Sequence, residues 1–233
     1  MDNSKKSADK TEQPYKYIVA LDFEATCWLH QPPPEYRKAE IIEFPAVLLN
    51  LETGQIESEF HQYLKPTEKP QLSDYCLKLT GITQQTVDQG ISLQLCLQLF
   101  EEWLSKELRS RQLQLPKESK DNRLGNCAFV TWSDYDLSVF LELECRRKSI
   151  AKPKYLDQWI NMQQIFKKYF HRRKSNSFSN ALNYVGLKFV GQQHSGIDDA
   201  RNLAYLTYKM VKKGATLKIT IDMSPSVWNL NCF

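Results

Sequence analysis

The sequence predicts an α/β protein built on a mixed five-stranded sheet, a three-strand antiparallel meander plus parallel strands, with helices on both faces. Three observations carry this expectation. Tyr17–Leu21 is an apolar run containing β-branched Ile18 and Val19, the pattern of a buried strand. Two more strand-like runs, Glu40–Asn50 and Ile56–Leu64, are separated by the tight turn Glu52-Thr53-Gly54. Beyond them, short apolar strands alternate with helical segments, as parallel pairing through crossovers requires.

In chain order, residues 1–15 are polar and rich in Lys, Ser, Asp and Gln, and read as a disordered tail. One domain is expected over 16–222 and a second short tail over 223–233. After the first strand, three successive prolines within Leu29–Lys38 stop both helix and ladder pairing, so that stretch reads as a loop. Pro45 has no N–H to donate and predicts a bulge or an edge position in the second strand. Ser73 is placed to cap a helix over Asp74–Leu79 that Gly81 ends, and Thr83–Asp88 reads as a further helical turn. Ser92–Lys106 carries Leu93, Cys96, Leu97, Phe100 and Leu104 at helical spacing. Arg109–Asn126 is polar, broken by Pro116, and reads as an exposed insert. Then follow a strand (Cys127–Trp132), a helix (Asp134–Lys148), a weaker strand (Tyr155–Asn161) and a helix (Met162–Phe170). Helices over Ser179–Val185 and Asp198–Lys213 end at Gly186 and Gly214, and Lys218–Ile221 is a candidate edge strand.

Composition narrows the class. At 233 residues and 42% hydrophobic, the chain sustains one large core. No apolar run reaches membrane-spanning length, and the polar first 16 residues lack the core of a signal peptide. The six cysteines are scattered without a CxxC pair, which argues against a zinc site and for reduced thiols in an intracellular compartment, cytoplasm or nucleus. A net charge of +4 is compatible with a polyanionic partner, and a monomer is expected.

The chemistry is concentrated in acids. Asp22 and Glu24 lie two residues apart at the exit of the first strand, so their side chains share a face. Two carboxylates there are costly unless a cation lies between them, and hard oxygen ligands suit Mg²⁺ or Mn²⁺. Asp134 and Asp136 follow a buried strand in WSDYDL, and Asp198 and Asp199 open the last helix in HSGIDDAR. Asp134 and Asp198 read as helix caps, since acids at a helix start satisfy free N–H groups and the dipole. His194, five residues before Asp199, can bring its ring above that helix start. His30, His61 and His171 read as surface residues, and the basic run Lys167–Lys174 as either a solvated helix end or a phosphate contact.

DFEAT at Asp22–Thr26, YD at Tyr135–Asp136 and the H-x-x-x-x-D spacing from His194 to Asp199 resemble the three motifs of the DEDDh 3′-to-5′ exonucleases. The flanks EIIEFPAVLLN, LSDYCLKLTGI, TWSDYDL and HSGIDDARN are most similar to the enhanced-RNAi group of exoribonucleases. The resemblance implies an RNase-H-like sheet and two Mg²⁺ or Mn²⁺ ions per site. It implies metal carboxylates at Asp22, Glu24, Asp136 and Asp199, Glu24 acting also in catalysis, and a general base at His194. Ala25 and Thr26 would line the terminal-nucleotide pocket, with Tyr75 and Tyr135 stacking on the terminal base. The implied partner is nucleic acid with a free 3′ end, single-stranded or an overhang, and the product a nucleoside 5′-monophosphate. A DNA-directed repair exonuclease and a non-catalytic nucleic-acid-binding module of the same fold are the rival expectations; for the two tyrosines, plain core packing is the rival.

Overall fold

The computed structural model describes residues 13–30, 35–116, 125–172 and 177–224. Its centre is β1 (Tyr17–Leu21), buried along all but its first residue. Antiparallel β3 (Ile41–Asn50) lies on one side, with Tyr17 opposite Asn50 and Leu21 opposite Ala46. Parallel β5 (Cys127–Thr131) lies on the other, with Tyr17 opposite Cys127. A strand covered on both faces needs apolar residues at every position, which is why Tyr17–Leu21 is a continuous run and not an alternating one.

The short β2 (Glu24–Ala25) prolongs β1 along β3, and β4 (Ile56–Tyr63) closes the meander on the far side of β3. On the other flank β6 (Gln158–Asn161) is parallel to β5, and β7 (Ile221–Asp222) adds an antiparallel edge. The predicted meander-plus-parallel architecture therefore stands, enlarged by β2, and the candidate edge strand expected over Lys218–Ile221 forms as β7, ending one residue further on.

Alternation along β1 separates two cores. Val19 and Leu21 join Phe44 and Phe129 beneath the apolar face of α3 (Leu93–Ser110). Ile18 and Ala20 join Val47, Ala128 and Val130 beneath α5 (Met162–Tyr169), α6 (Phe178–Tyr184) and α7 (Gly196–Lys212). The same alternation continued past Leu21 sends Asp22 and Glu24 toward the α7 face. Two short helices, α1 (Asp74–Thr80) and α2 (Gln84–Asp88), lie between β4 and α3 in the chain; Ser73 caps α1 as anticipated, Thr83, expected inside the helical turn, caps α2, and Gly81 closes α1 at φ +73°. No helix among the described residues is long and apolar enough to cross a membrane.

Several expectations change. Pro45 is neither at an edge nor in a bulge, because β3 is paired on both sides. The Leu64 N–H donates to the Ile42 carbonyl, so even-numbered residues of β3 aim their N–H at β4 and odd ones at β1 and β2. Pro45 thus directs its missing N–H into the gap between β1 and β2, opposite Asp22, where no ladder bond is lost. The helix expected over 134–148 begins as a π-helix (Tyr135–Leu141) and only then becomes α4 (Glu142–Arg147). Tyr155–Asn161 divides into a 3₁₀ turn (Lys154–Asp157) and β6, and a second 3₁₀ turn forms over Glu35–Lys38 inside the expected proline loop. Tyr15, assigned to the tail, is 2% exposed in the α7-side core. Leu113 and Leu115 anchor the start of the supposed insert against the other core. The remainder of that insert (117–124), residues 31–34 of the expected proline loop, the tail residues 1–12 and 225–233, and the end of the basic run (173–174) lie outside the described residues.

Candidate active site

Three separated segments converge where β1 leaves the sheet. Because β1 and β5 are parallel, their C-terminal ends coincide, and the helices that follow bring side chains to the same rim. Asp136, in the first turn of the π-helix after β5, is 5% exposed, and its Oδ1 accepts the Phe23 N–H at 2.8 Å. That N–H lies on the backbone between Asp22 and Glu24, so the bond ties the second motif to the first. A π turn widens the helix by one residue per hydrogen bond and is frequent at functional positions.

Asp199, 8% exposed in the first turn of α7, accepts the His194 N–H at 2.8 Å on Oδ2. His194 has a left-handed φ of +64° and an exposed ring, so the loop turns sharply there before entering the helix. Gly196 brings α7 against the strand end: a Cβ there would stand 2.7 Å from the Asp22 carbonyl oxygen.

The carboxylates share one field. Burial raises the Asp22 carboxyl well above the ordinary range, and Asp136, Asp199, Glu24 and Glu43 push it the same way. Glu24 is raised to about 9 by burial and then by Asp199, Glu43 and Asp136. Asp136 and Asp199 are each raised to about 7, burial being the largest cause, despite the opposing backbone hydrogen bonds from Phe23 and His194. Burial and neighbouring acids are the largest raising causes in all four, and like charges of this kind favour protons or a divalent ion. The donor set, all hard oxygens, fits Mg²⁺ or Mn²⁺. Among the described residues no three His, Cys, Asp or Glu side chains form a finished cation site; the four carboxylates are neighbours, not a closed coordination sphere.

A fifth acid completes the support. Glu43 on β3, 1% exposed, accepts the Gly196 N–H at 2.9 Å and the Ile197 N–H at 3.1 Å, and contacts His61 Nε2 at 2.8 Å. It therefore caps α7 from a different element, while Ser195 at the cap position makes no side-chain cap bond. His61, read as a surface residue, is committed to this pair. Asp198 does not cap α7: it accepts the Gln192 N–H at 2.9 Å and pairs with Arg201 at 3.0 Å, bracing the preceding loop. Asp134 stands at a helix start but makes no cap bond, and accepts the Trp159 indole N–H at 3.1 Å.

Beside Glu24 lies a cavity of about 190 Å³, lined by Phe23, Ala25, Thr26, Tyr36 and Tyr135 among others. Thr26 is pinned there, its N–H donating to the Glu40 carbonyl and its Oγ1 accepting the Glu40 N–H. Tyr135 is 51% exposed with the Tyr36 ring 5.9 Å away, so it is no core aromatic. Tyr75, 38% exposed on α1, does not line this cavity. Tyr36 and Glu43 escaped the sequence reading: one follows a proline run, and the other sits among apolar strand residues, where an isolated acid was itself a signal.

The pattern of the exonuclease family matches residues 19–207, which include all four carboxylates and His194. The chain belongs to that family, and within it to the DEDDh 3′-to-5′ exonucleases. Over 222 residues it is 56% identical to the 3′-5′ exonuclease Snipper of Drosophila melanogaster, covering 95% of this chain and 79% of that protein. It is 45% identical over 225 residues to human ERI1 exoribonuclease 2, covering 95% of this chain but only 32% of the relative, about a third of its length. Among solved structures, the nuclease domain of 3′hExo, a DEDDh family member bound to rAMP, superposes with a TM-score of 0.73 at 34% identity, over 90% of this chain and 98% of that one. A 3′-exonuclease in 3′-end-specific recognition of the histone mRNA stem-loop superposes with a TM-score of 0.75 at 32% identity, over 91% and 89%.

Proposed function

We propose that this chain shortens RNA from its 3′ end, one nucleoside 5′-monophosphate at a time, in a reaction that depends on a pair of divalent ions. The observation that carries the reading is that Asp22, Glu24, Asp136 and Asp199, from three distant parts of the chain, raise one another's pKa beside a cavity, Asp136 and Asp199 buried and Asp22 and Glu24 half-buried. These four carboxylates would hold Mg²⁺ or Mn²⁺. When bound, such ions supply Lewis-acid stabilisation of the charge that develops on the phosphate and the departing 3′ oxygen.

The chain's own groups account for the rest. His194 takes the proton of the attacking water, the general-base role that histidine fills most often in catalysis. Its exposed ring on a sharply turned loop leaves it free to face a substrate phosphate above α7. Ala25 and Thr26 form the wall against the terminal nucleotide, and Tyr135, with Tyr36 beside it, offers a stacking face that tolerates any base. Tyr75 would reach the terminal base from α1, outside the cavity wall. The choice of RNA follows the exoribonuclease names of the relatives and the rAMP-bound neighbour.

The test is a 5′-labelled single-stranded RNA incubated with the protein and Mg²⁺, beside the same sequence as DNA and as a duplex with a 3′ overhang. A ladder shortening from the 3′ end in single-nucleotide steps, fastest on RNA, is the expected result. An intact label, or cuts that begin internally, would overturn the reading; faster trimming of DNA would overturn the choice of RNA.

A further inference from the structure

The cavity wall and helix α1 share a feature that hydrolysis does not use. Cys27 follows directly on the wall residues Glu24, Ala25 and Thr26 and itself lines the cavity. Cys76 lies on α1 beside Tyr75 and is fully buried. The two thiols share a hydrogen bond, and Cys76 Sγ also approaches the Ala25 carbonyl at 3.9 Å. Ser73, the cap of α1, donates its hydroxyl to the Cys27 carbonyl at 2.6 Å, so the helix start and the wall strand are already clamped together. Both thiols are free, although 48 residues of chain lie between them.

We propose that Cys27 and Cys76 are a site of reversible oxidative modification, closing to a disulfide that distorts the nucleotide cavity and slows the enzyme. The proposal rests on the nuclease reading only for its consequence, not for the bridge. The pair is chemically unequal. Cys27 hydrogen-bonding holds the Cys76 thiol down at about 7, against its burial, while Cys27 is pushed upward by the same bond and by burial. Thiolate is the reactive form, which makes Cys76 the attacking sulfur.

With hydrogen peroxide as oxidant, the Cys76 thiolate attacks one peroxide oxygen; the O–O bond breaks, a sulfenic acid forms and hydroxide leaves. The Cys27 sulfur then attacks Cys76 sulfur, the S–O bond breaks, and the Cys27 proton leaves with the oxygen as water. The hydroxide of the first step takes up the proton that Cys76 had released. Two thiols thus lose two electrons, and one peroxide becomes two waters. Joining the sulfurs at a bond of roughly 2.05 Å, from hydrogen-bonding range, draws the wall segment and α1 together. Ala25 and Thr26 on one side and Tyr75 on the other must move with them.

The experiment treats the reduced full chain with hydrogen peroxide in the absence of metal, alkylates remaining thiols, and maps peptides. It then assays RNA trimming in Mg²⁺ before and after dithiothreitol. A peptide joining Cys27 to Cys76, with a reversible rate loss on the order of tenfold, is expected, since displacement of about 1 Å near the chemistry can cost 10²-fold. Cys76→Ser should keep the basal rate and lose the sensitivity; Cys76→Ala serves the same purpose if the serine variant folds poorly. Absence of the joined peptide, or equal peroxide sensitivity in the Cys76 variants, would overturn the site. A bridge that forms without any change in trimming would overturn its control of the cavity. If the reduced chain trims nothing at all, the peptide map still decides the bridge, and the failure belongs to the nuclease reading alone.

Discussion

Asp22, Glu24, Asp136 and Asp199 are raised by the same physical causes, and the sign of the consequence can be worked out. In the metal-free protein the folded carboxyls hold protons that the unfolded chain has released, from the ordinary carboxylate range up to about 7 for Asp136 and Asp199 and about 9 for Glu24. The folded state binds more protons there, so its stability falls as pH rises. We predict that the metal-free melting temperature drops between about pH 5 and pH 8, and that Mn²⁺ raises it more at the upper pH, because the ion replaces the missing protons. Thermal melts at the two pH values check this; a metal-free melting temperature that climbs with pH would contradict it. His194 is a separate matter, since its proposed role belongs to its ring, while its backbone N–H donates to the Asp199 carboxylate. His194→Ala should lower kcat by about 10²–10⁴-fold with KM nearly unchanged, as loss of a general base does, and steady-state kinetics on a short RNA would show it.

Among the elements, α7 bears the most. Its N-terminus is held by Glu43 from β3 and pressed onto the Asp22 carbonyl at Gly196, so the strand exit and Asp199 are set by one contact. Gly196→Ala should push the helix start off the strand and abolish most trimming while the melting temperature moves by only a few degrees, since the α7 core beyond the first turn is untouched. An enzyme that keeps its rate with alanine there would show that this approach does not position the site. Much of this element structure was legible: β1 from its continuous apolar run, α1 from its Ser73 cap and Gly81 stop, and α3 from its spacing. What stayed hidden was long-range. The Glu43 cap joins residues 43 and 196, and no local pattern reports such a bond. The π-helix carries the same residue types as an α-helix and differs only in which carbonyl each N–H reaches. Asp134 and Asp198 look like caps on paper because helix starts favour acids, yet Trp159 and Gln192 claim them.

On the scale of the whole molecule, the length of α7 separates the acidic rim from the described basic residues at the end of α5. The Tyr169 hydroxyl donates to the Lys213 carbonyl at the end of α7, a helix of 17 residues and so about 25 Å from its start. The described part of the basic run, Lys167–Arg172, is thus remote from the carboxylates; Lys167 is bonded to Gln163, and Arg172 lies 5.0 Å over the Tyr184 ring. A substrate end that enters at the rim meets the cavity and the carboxylates together, which suits removal of terminal nucleotides. Four of the candidate residues could be named from motif order alone, but the field they create exists only once β1, β5 and α7 meet.

The most direct measurement is Mn²⁺ binding by calorimetric titration to the wild-type chain and to Asp22→Asn, Asp136→Asn and Asp199→Asn. Two ions bound per wild-type chain, with affinity lost in each of the three variants while their folds persist by circular dichroism, is the predicted result. Variants that bind Mn²⁺ as the wild type does would contradict a common cation site built from these carboxylates.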